Sequence, residues 1–227
     1  MAVNVVSKVD GPVPVRHALV SVSDKTGLES FIPGLLEVCK DLTILSTGGT
    51  FTALANILGG KASRHLRQVS EYTGQPETQG GLVKTLDFKI YLGLLTERYN
   101  DSHQRDLLRT SAVPIDLVVV NLYPFTETIA KPGITPEQAR GQIDIGGPCM
   151  IRAAAKNFLR TAPAVDPDDY GSILEELRKN NGATSLRFRF RMAKKAFRHT
   201  AAYDRAIADY LIDTPYDAVA PCYTIVS

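Results

Sequence analysis

The sequence has no tryptophan, four histidines and three cysteines. Cys39, Cys149 and Cys222 are odd in number and far apart, which excludes a disulfide framework and suits a reducing compartment. The histidines (His17, His65, His103, His199) sit at no metal-ligand spacing, and no Cys-x-x-Cys occurs, so no metal site is expected. Charge of one sign is also missing. Lys and Arg number 26 against 24 Asp and Glu, too balanced for a wholesale nucleic-acid or anionic-membrane binder. No apolar run approaches the roughly 20 residues of a membrane span. Met1–Val15, with Asp10 and two prolines, lacks the layout of a secretory leader. A cytoplasmic location is the expectation. Phosphate-loop, dinucleotide and serine-hydrolase signatures are absent as well.

What remains is ordinary globular material. With 227 residues, 44% hydrophobic and 22% charged, the chain can bury a core as one large domain or two small ones. His17–Val22 reads as a buried strand, and Leu28 to Cys39 carries a helical apolar pattern that Pro33 and Gly34 interrupt. Leu42–Leu45 is a second strand, followed by a helix over 51–58 that stops at Gly59-Gly60. The near-continuous apolar run Ile115–Leu122 predicts a strand covered on both faces. Alternating strands and helices predict an α/β fold built on a doubly wound, mostly parallel sheet. Further on, Pro136 opens a short helix, Cys149–Asn157 forms another, and Asp166 caps one ending near Lys179. A long helix over 184–211 follows from the stripe Leu186, Phe190, Ala193, Phe197 and Ala201.

Two polar loops follow the first two strands. Ser21-Val22-Ser23-Asp24-Lys25-Thr26-Gly27 offers hydroxyls, an ammonium and helix-start amides; Ser46-Thr47-Gly48-Gly49-Thr50 adds hydroxyls and glycines that let backbone N–H groups approach an anion. Either loop alone reads as a turn or cap. The pair, at the carboxyl ends of neighbouring strands, reads equally well as a phosphate cradle. Three further segments carry ionisable groups: Val83-Lys84-Thr85-Leu86, Asn121-Leu122-Tyr123-Pro124-Phe125 and Ile143-Asp144-Ile145-Gly146-Gly147. The helix after the last of them holds Arg152 and Lys156 on one face. A lysine, a tyrosine and a carboxylate make an acid–base set if they converge, and separate structural groups if they do not. Arg187–Arg198 has six basic residues in twelve interleaved with phenylalanines. Helical spacing favours an amphipathic helix with a solvated basic face over a stacking platform for single-stranded nucleic acid. His199, on the same helix, reads as a packing or surface residue.

These segments, together with Arg152–Asn157 and Lys195–Asp204, resemble in order the inosine-monophosphate (IMP) cyclohydrolase domain of the bifunctional purine-biosynthesis enzymes. The resemblance spans residues 17–211, leaving 1–16 and 212–227 as terminal extensions. It implies a methylglyoxal-synthase-like domain with added C-terminal helices. The implied reaction is closure of a formylated imidazole carboxamide ribonucleotide to IMP with loss of water, by a homodimer without cofactor. The resemblance makes Lys84, Tyr123, Asp144 and Lys156 catalytic: Asp144 to accept the amide proton, Lys84 to polarise the formyl group, Tyr123 and Lys156 to supply hydrogen bonds or a proton. It makes Ser23, Lys25, Thr26, Ser46, Gly48, Gly49, Thr50, Thr85, Asn121, Gly146 and Gly147 the substrate and phosphate contacts.

The chain also departs from the family pattern. Leu82, Asp87, Phe88, Tyr91 and Leu92 replace an arginine, a histidine, a proline, a second histidine and a glycine, and Phe158 replaces a histidine. A displaced lysine loop would make the chain a non-catalytic nucleotide- or phosphate-binding relative, the alternative expectation. Thr214–Ser227 does not resemble the start of the folate-dependent formyltransferase domain. Formyl transfer is therefore not expected of this chain: either another protein supplies the formylated substrate or the chain is a fragment.

Overall fold

The computed structural model describes residues 5–75 and 85–226. Five parallel strands form the central sheet: β2 (His17–Val22), β3 (Thr43–Ser46), β4 (Leu66–Gln68), β5 (Leu117–Asn121) and β6 (Ala162–Ala164), in spatial order β4-β3-β2-β5-β6. A separate ribbon pairs β1 (Pro12–Pro14) antiparallel with β7 (Ala183–Ser185). From β2 the chain steps outward to β3 and β4, then returns to β5 on the other side of β2. The order therefore reverses between β2 and β5, and the crevice beyond their carboxyl ends is where ligands bind in such sheets.

The doubly wound expectation holds, and strand alternation shows why. Ala18, Val20, Val22, Ile44, Leu117 and Val119 pack on one face with the helices Leu28–Val38 and Tyr170–Lys179. Leu19, Leu45, Val118 and Val120 pack on the other with the helices Phe88–Leu95 and Gly146–Lys156. Successive side chains point to opposite faces, so both halves of each apolar run are buried. The long helix Leu186–Asp213 lies against β6 and sends Phe188 and Met192 to the first core, Ala193 and Ala196 to the second. It covers a sheet edge whose strand contains Pro163, a residue tolerated only where ladder hydrogen bonds are dispensable.

Several boundaries differ from the sequence expectation for local reasons. The helix Leu28–Val38 runs on through Pro33, held by Phe31, Ile32 and Leu35, all essentially inaccessible. The helices predicted to begin at 51 and 149 begin at Gly48 and Gly146, so both glycine pairs form first helical turns rather than loops. Asp87 caps the helix Phe88–Leu95, its Oδ1 accepting the Lys89 N–H at 2.7 Å. That helix crosses the segment before β5 at Gly93, where a Cβ would fall 2.5 Å from the Val113 carbonyl oxygen. The close approach thus uses a glycine the chain keeps, while the substituted Leu92 is only half-buried.

Two arginines tie the lower parts together. Asp116 accepts the Arg16 and His17 N–H groups at 2.9 and 3.0 Å and pairs with Arg160 at 3.3 Å, with side chains 7% and 11% exposed. Arg189, in the basic stretch of the long helix, is the exception to its solvated face. It is fully buried and donates to the carbonyls of Asp10, Gly11, Phe158, Leu159 and Thr184. Burial lowers its pKa to about 10, so it stays charged at neutral pH.

Candidate active site

A cleft of about 220 Å³ opens at the carboxyl ends of β2, β3 and β5. Ser23 and Lys25 line it from the loop after β2, Gly49 and Thr50 from the helix after β3, and Asn121 and Tyr123 from the end of β5. Thr85, Asp144, Gly146 and Gly147 close the opposite side. Sequence-distant segments therefore meet where the topology places a ligand. The helices Gly48–Leu58 and Gly146–Lys156 both start at this cleft, so two positive dipole ends face it. At the second, the Gly147 N–H is already taken by the Asp144 carboxylate and Pro148 has no N–H to offer.

The loops are held by side chains that return to the backbone. Asn121 Oδ1 accepts the N–H groups of Ser23 and Asp24 at 2.6 and 2.9 Å, and its Nδ2 donates to the Asp24 carbonyl at 2.8 Å. Thr50 Oγ1 accepts from the Val22 N–H at 3.1 Å and donates to the Val22 carbonyl at 3.0 Å. Ser46, fully buried, donates to the Val20 carbonyl at 2.7 Å and ties β3 to β2. Asp24 caps the next turn by accepting the Thr26 N–H at 2.8 Å. Lys25 Nζ, exposed, folds back to the Ser23 carbonyl at 3.3 Å.

Asp144 sits on a tight turn whose geometry demands glycine. Its Oδ1 accepts the Gly147 N–H at 2.8 Å, and a Cβ on Gly147 would lie 2.5 Å from both Asp144 Oδ2 and Leu122 Cδ2. Tyr123 is 42% exposed at the cleft. Burial first, and then the Asp144 charge, raise the pKa of its phenol. The hydroxyl therefore keeps its proton at neutral pH and can donate it.

Not every expected residue reaches the cleft. Ser46, Gly48 and Thr26 support its walls without lining it. Lys156 stands at the far end of the helix Gly146–Lys156, about 15 Å along the axis from Gly146. It is exposed there, beside an apolar depression lined by Phe158, Phe190 and Phe197. Lys84 and Leu82 lie outside the described residues. Conversely, the cleft includes Ser21 and Thr47, whose hydroxyls pair at 3.2 Å, and the apolar walls Ile143, Ile145 and Met150. The alternation of apolar residues around Asp144 was the available signal for the isoleucines. Among the described residues, no helix is long and apolar enough to cross a membrane, and no group of three or more His, Cys, Asp or Glu is placed to hold a metal.

Comparison with known proteins identifies the family. The MGS-like domain family matches residues 28–149, and the AICARFT/IMPCHase bienzyme family matches residues 154–225. The bifunctional purine biosynthesis protein PurH of Trichormus variabilis is 50% identical over 199 residues, covering 88% of this chain and 38% of that protein. PurH of Enterococcus faecalis is 49% identical over 196 residues, covering 86% of this chain and 37% of that protein. The chain thus spans well under half the length of these relatives. The crystal structure of ForH superposes with a TM-score of 0.70 at 34% identity, covering 86% of this chain and 97% of that one. The chain belongs to the MGS-like domain family and corresponds to the cyclohydrolase part of the AICARFT/IMPCHase bienzymes.

Proposed function

We propose that this chain is an IMP cyclohydrolase, closing 5-formamidoimidazole-4-carboxamide ribonucleotide to IMP with loss of water. The observation that carries the proposal is the convergence of Tyr123 and Asp144 on one cleft with two helix N-termini and Lys25. The start of the helix Gly48–Leu58 and Lys25 suit a phosphate, and the isoleucine walls beside Asp144 suit the flat heterocycle. Holding the phosphate at one end and the base at the other brings the carboxamide nitrogen to the formyl carbon, converting ring closure into a positioned intramolecular step.

The atoms balance without a cofactor. The carboxamide nitrogen forms a bond to the formyl carbon and gives up one proton, which Asp144 accepts. Tyr123 donates a hydrogen bond to the formyl oxygen as charge develops there. Lys84, directly before the cleft-lining Thr85 in sequence, is assigned to the same oxygen. Loss of the formamido nitrogen's proton and departure of the formyl oxygen as water complete the ring. Asp144 shuttles the first proton, and Tyr123 serves the leaving water. Lys156 has no assigned role within the cleft of a single chain. We also propose that two copies associate, a reading supported by the exposed Phe190 and Phe197 around the apolar depression, and that the protein works in the cytoplasm on substrate formylated by another catalytic unit.

The test is direct: incubate the protein with the formylated ribonucleotide and follow IMP by absorbance. Catalysed IMP formation, with no catalysed ring closure of the corresponding nucleoside lacking the 5′-phosphate, supports the proposal. Tight binding without turnover would instead make the cleft a nucleotide-binding site only.

A further inference from the structure

The residues matched by the MGS-like family end at 149, yet the cleft is braced from well beyond that point. The Tyr203 hydroxyl, on the long helix Leu186–Asp213, accepts the Asp144 N–H at 2.8 Å and donates to the Gln142 carbonyl at 3.2 Å. One oxygen thus fixes both sides of Ile143. The ring of the same side chain meets Phe125 edge-on, with centroids 6.3 Å apart and planes at 69°. Phe125 is almost wholly buried and lies two residues after Tyr123, and its N–H donates to the Tyr123 carbonyl at 2.8 Å. Tyr210, two turns further along the helix, packs edge-on against Phe125 as well, at 5.8 Å.

We infer that Tyr203 is a positioning residue that sets the placement of Asp144 relative to Tyr123. Its ring braces the segment carrying the phenol, and its hydroxyl braces the turn carrying the carboxylate. Few side chains could do both. The turn requires a group that accepts and donates at one point, which a hydroxyl does, and Phe125 requires an aromatic face. Tyr203 is half-buried, and burial chiefly raises its pKa, so the proton it donates to Gln142 is retained at neutral pH. A loosened turn would leave the substrate bound, because the phosphate is held at the other end of the cleft. The reacting carboxylate, however, would no longer sit at a fixed distance from the amide nitrogen, and misplacement by about 1 Å is enough to cost around 100-fold in rate.

The inference rests on the cyclohydrolase reading for its kinetic consequence, but the clamp itself can be measured without turnover. Tyr203→Phe keeps the ring on Phe125 and deletes the hydroxyl. Its kcat for IMP formation is expected to fall at least about tenfold with KM changed by less than about twofold. Amide hydrogen exchange at Asp144 is expected to accelerate at least about tenfold, while exchange across β2 and β5 stays unchanged. Tyr203→Leu, which also removes the ring, is expected to raise KM in addition. An unchanged kcat in an active Tyr203→Phe protein, or unchanged Asp144 exchange, would overturn the inference. Absence of IMP formation by the wild-type protein would instead overturn the cyclohydrolase reading, leaving the exchange result to decide the clamp.

Discussion

Asn121 Oδ1 accepts the Ser23 N–H at 2.6 Å, joining the end of β5 to the loop after β2 across the point where strand order reverses. With its two partner bonds to Asp24, it fixes the loop that presents Ser23 and Lys25 to the cleft. Asn121→Ala removes all three bonds and is expected to cost about 1–3 kcal/mol of stability. KM for the phosphorylated substrate should rise about tenfold, equivalent to about 1.4 kcal/mol of lost binding. Denaturant unfolding and steady-state kinetics measure the two effects. A stability loss with normal KM would separate Asn121 from phosphate recognition.

Gly147→Ala tests the packing around the carboxylate. The added methyl would press on Asp144 Oδ2 and Leu122 together, and neither neighbour is free to withdraw without disturbing the turn or the core. A stability cost of about 1–3 kcal/mol is expected, as for other overpacked sites. Activity should fall more steeply than stability, because the displaced group is the proposed base. Near-normal kcat would show that the turn tolerates movement.

At the opposite end of the sheet, the Asp116–Arg160 pair is a matter of stability alone. Burial raises the Asp116 pKa, and the Arg160 guanidinium with the Arg16 and His17 amides opposes that rise. Arg160→Met would leave a buried carboxylate short of its counter-charge, at an expected cost of about 3–5 kcal/mol. Adding Asp116→Asn to that variant should recover part of the loss. If the single variant unfolds at the wild-type midpoint, the pair contributes no net stability.

The half-buried histidines give the pH dependence. Burial is the largest influence on both His17 and His199 and lowers their pKa values below the ordinary 6.5. As pH falls through 6.5, the unfolded chain takes up protons before the folded one does. The stability present above that pH is therefore lost on acidification. The urea midpoint is expected to drop between pH 7.5 and 5.5, and less in a His17→Asn/His199→Asn variant. Equal slopes for the two proteins would contradict this.

The sheet was legible because Ile115–Leu122 and His17–Val22 are buried on both faces and read as continuous apolar runs. β1, β4, β6 and β7 are three residues each, too short for periodicity, and β6 includes a proline. The glycines at 48–49 and 146–147 read as loops because propensity disfavours them in helices. Close packing against Asp144 and Leu122 overrides that preference at Gly147. The cradle loops were visible in the sequence, but the inward turn of the Ser46 and Thr50 hydroxyls depends on their bonds to the β2 backbone. The link from Tyr203 to Asp144 spans 59 residues, beyond the reach of any local pattern.

The most direct test of the account is single-turnover ring closure by Asp144→Asn protein saturated with the formylated ribonucleotide. The variant keeps the turn's shape and its acceptor oxygen but cannot take the amide proton. IMP formation at least about 100-fold slower than wild type is expected, with substrate affinity preserved, since a positioned base contributes about 10²–10⁴ in rate. A wild-type rate in the variant would contradict the assignment of this cleft as the cyclohydrolase active site with Asp144 as its base.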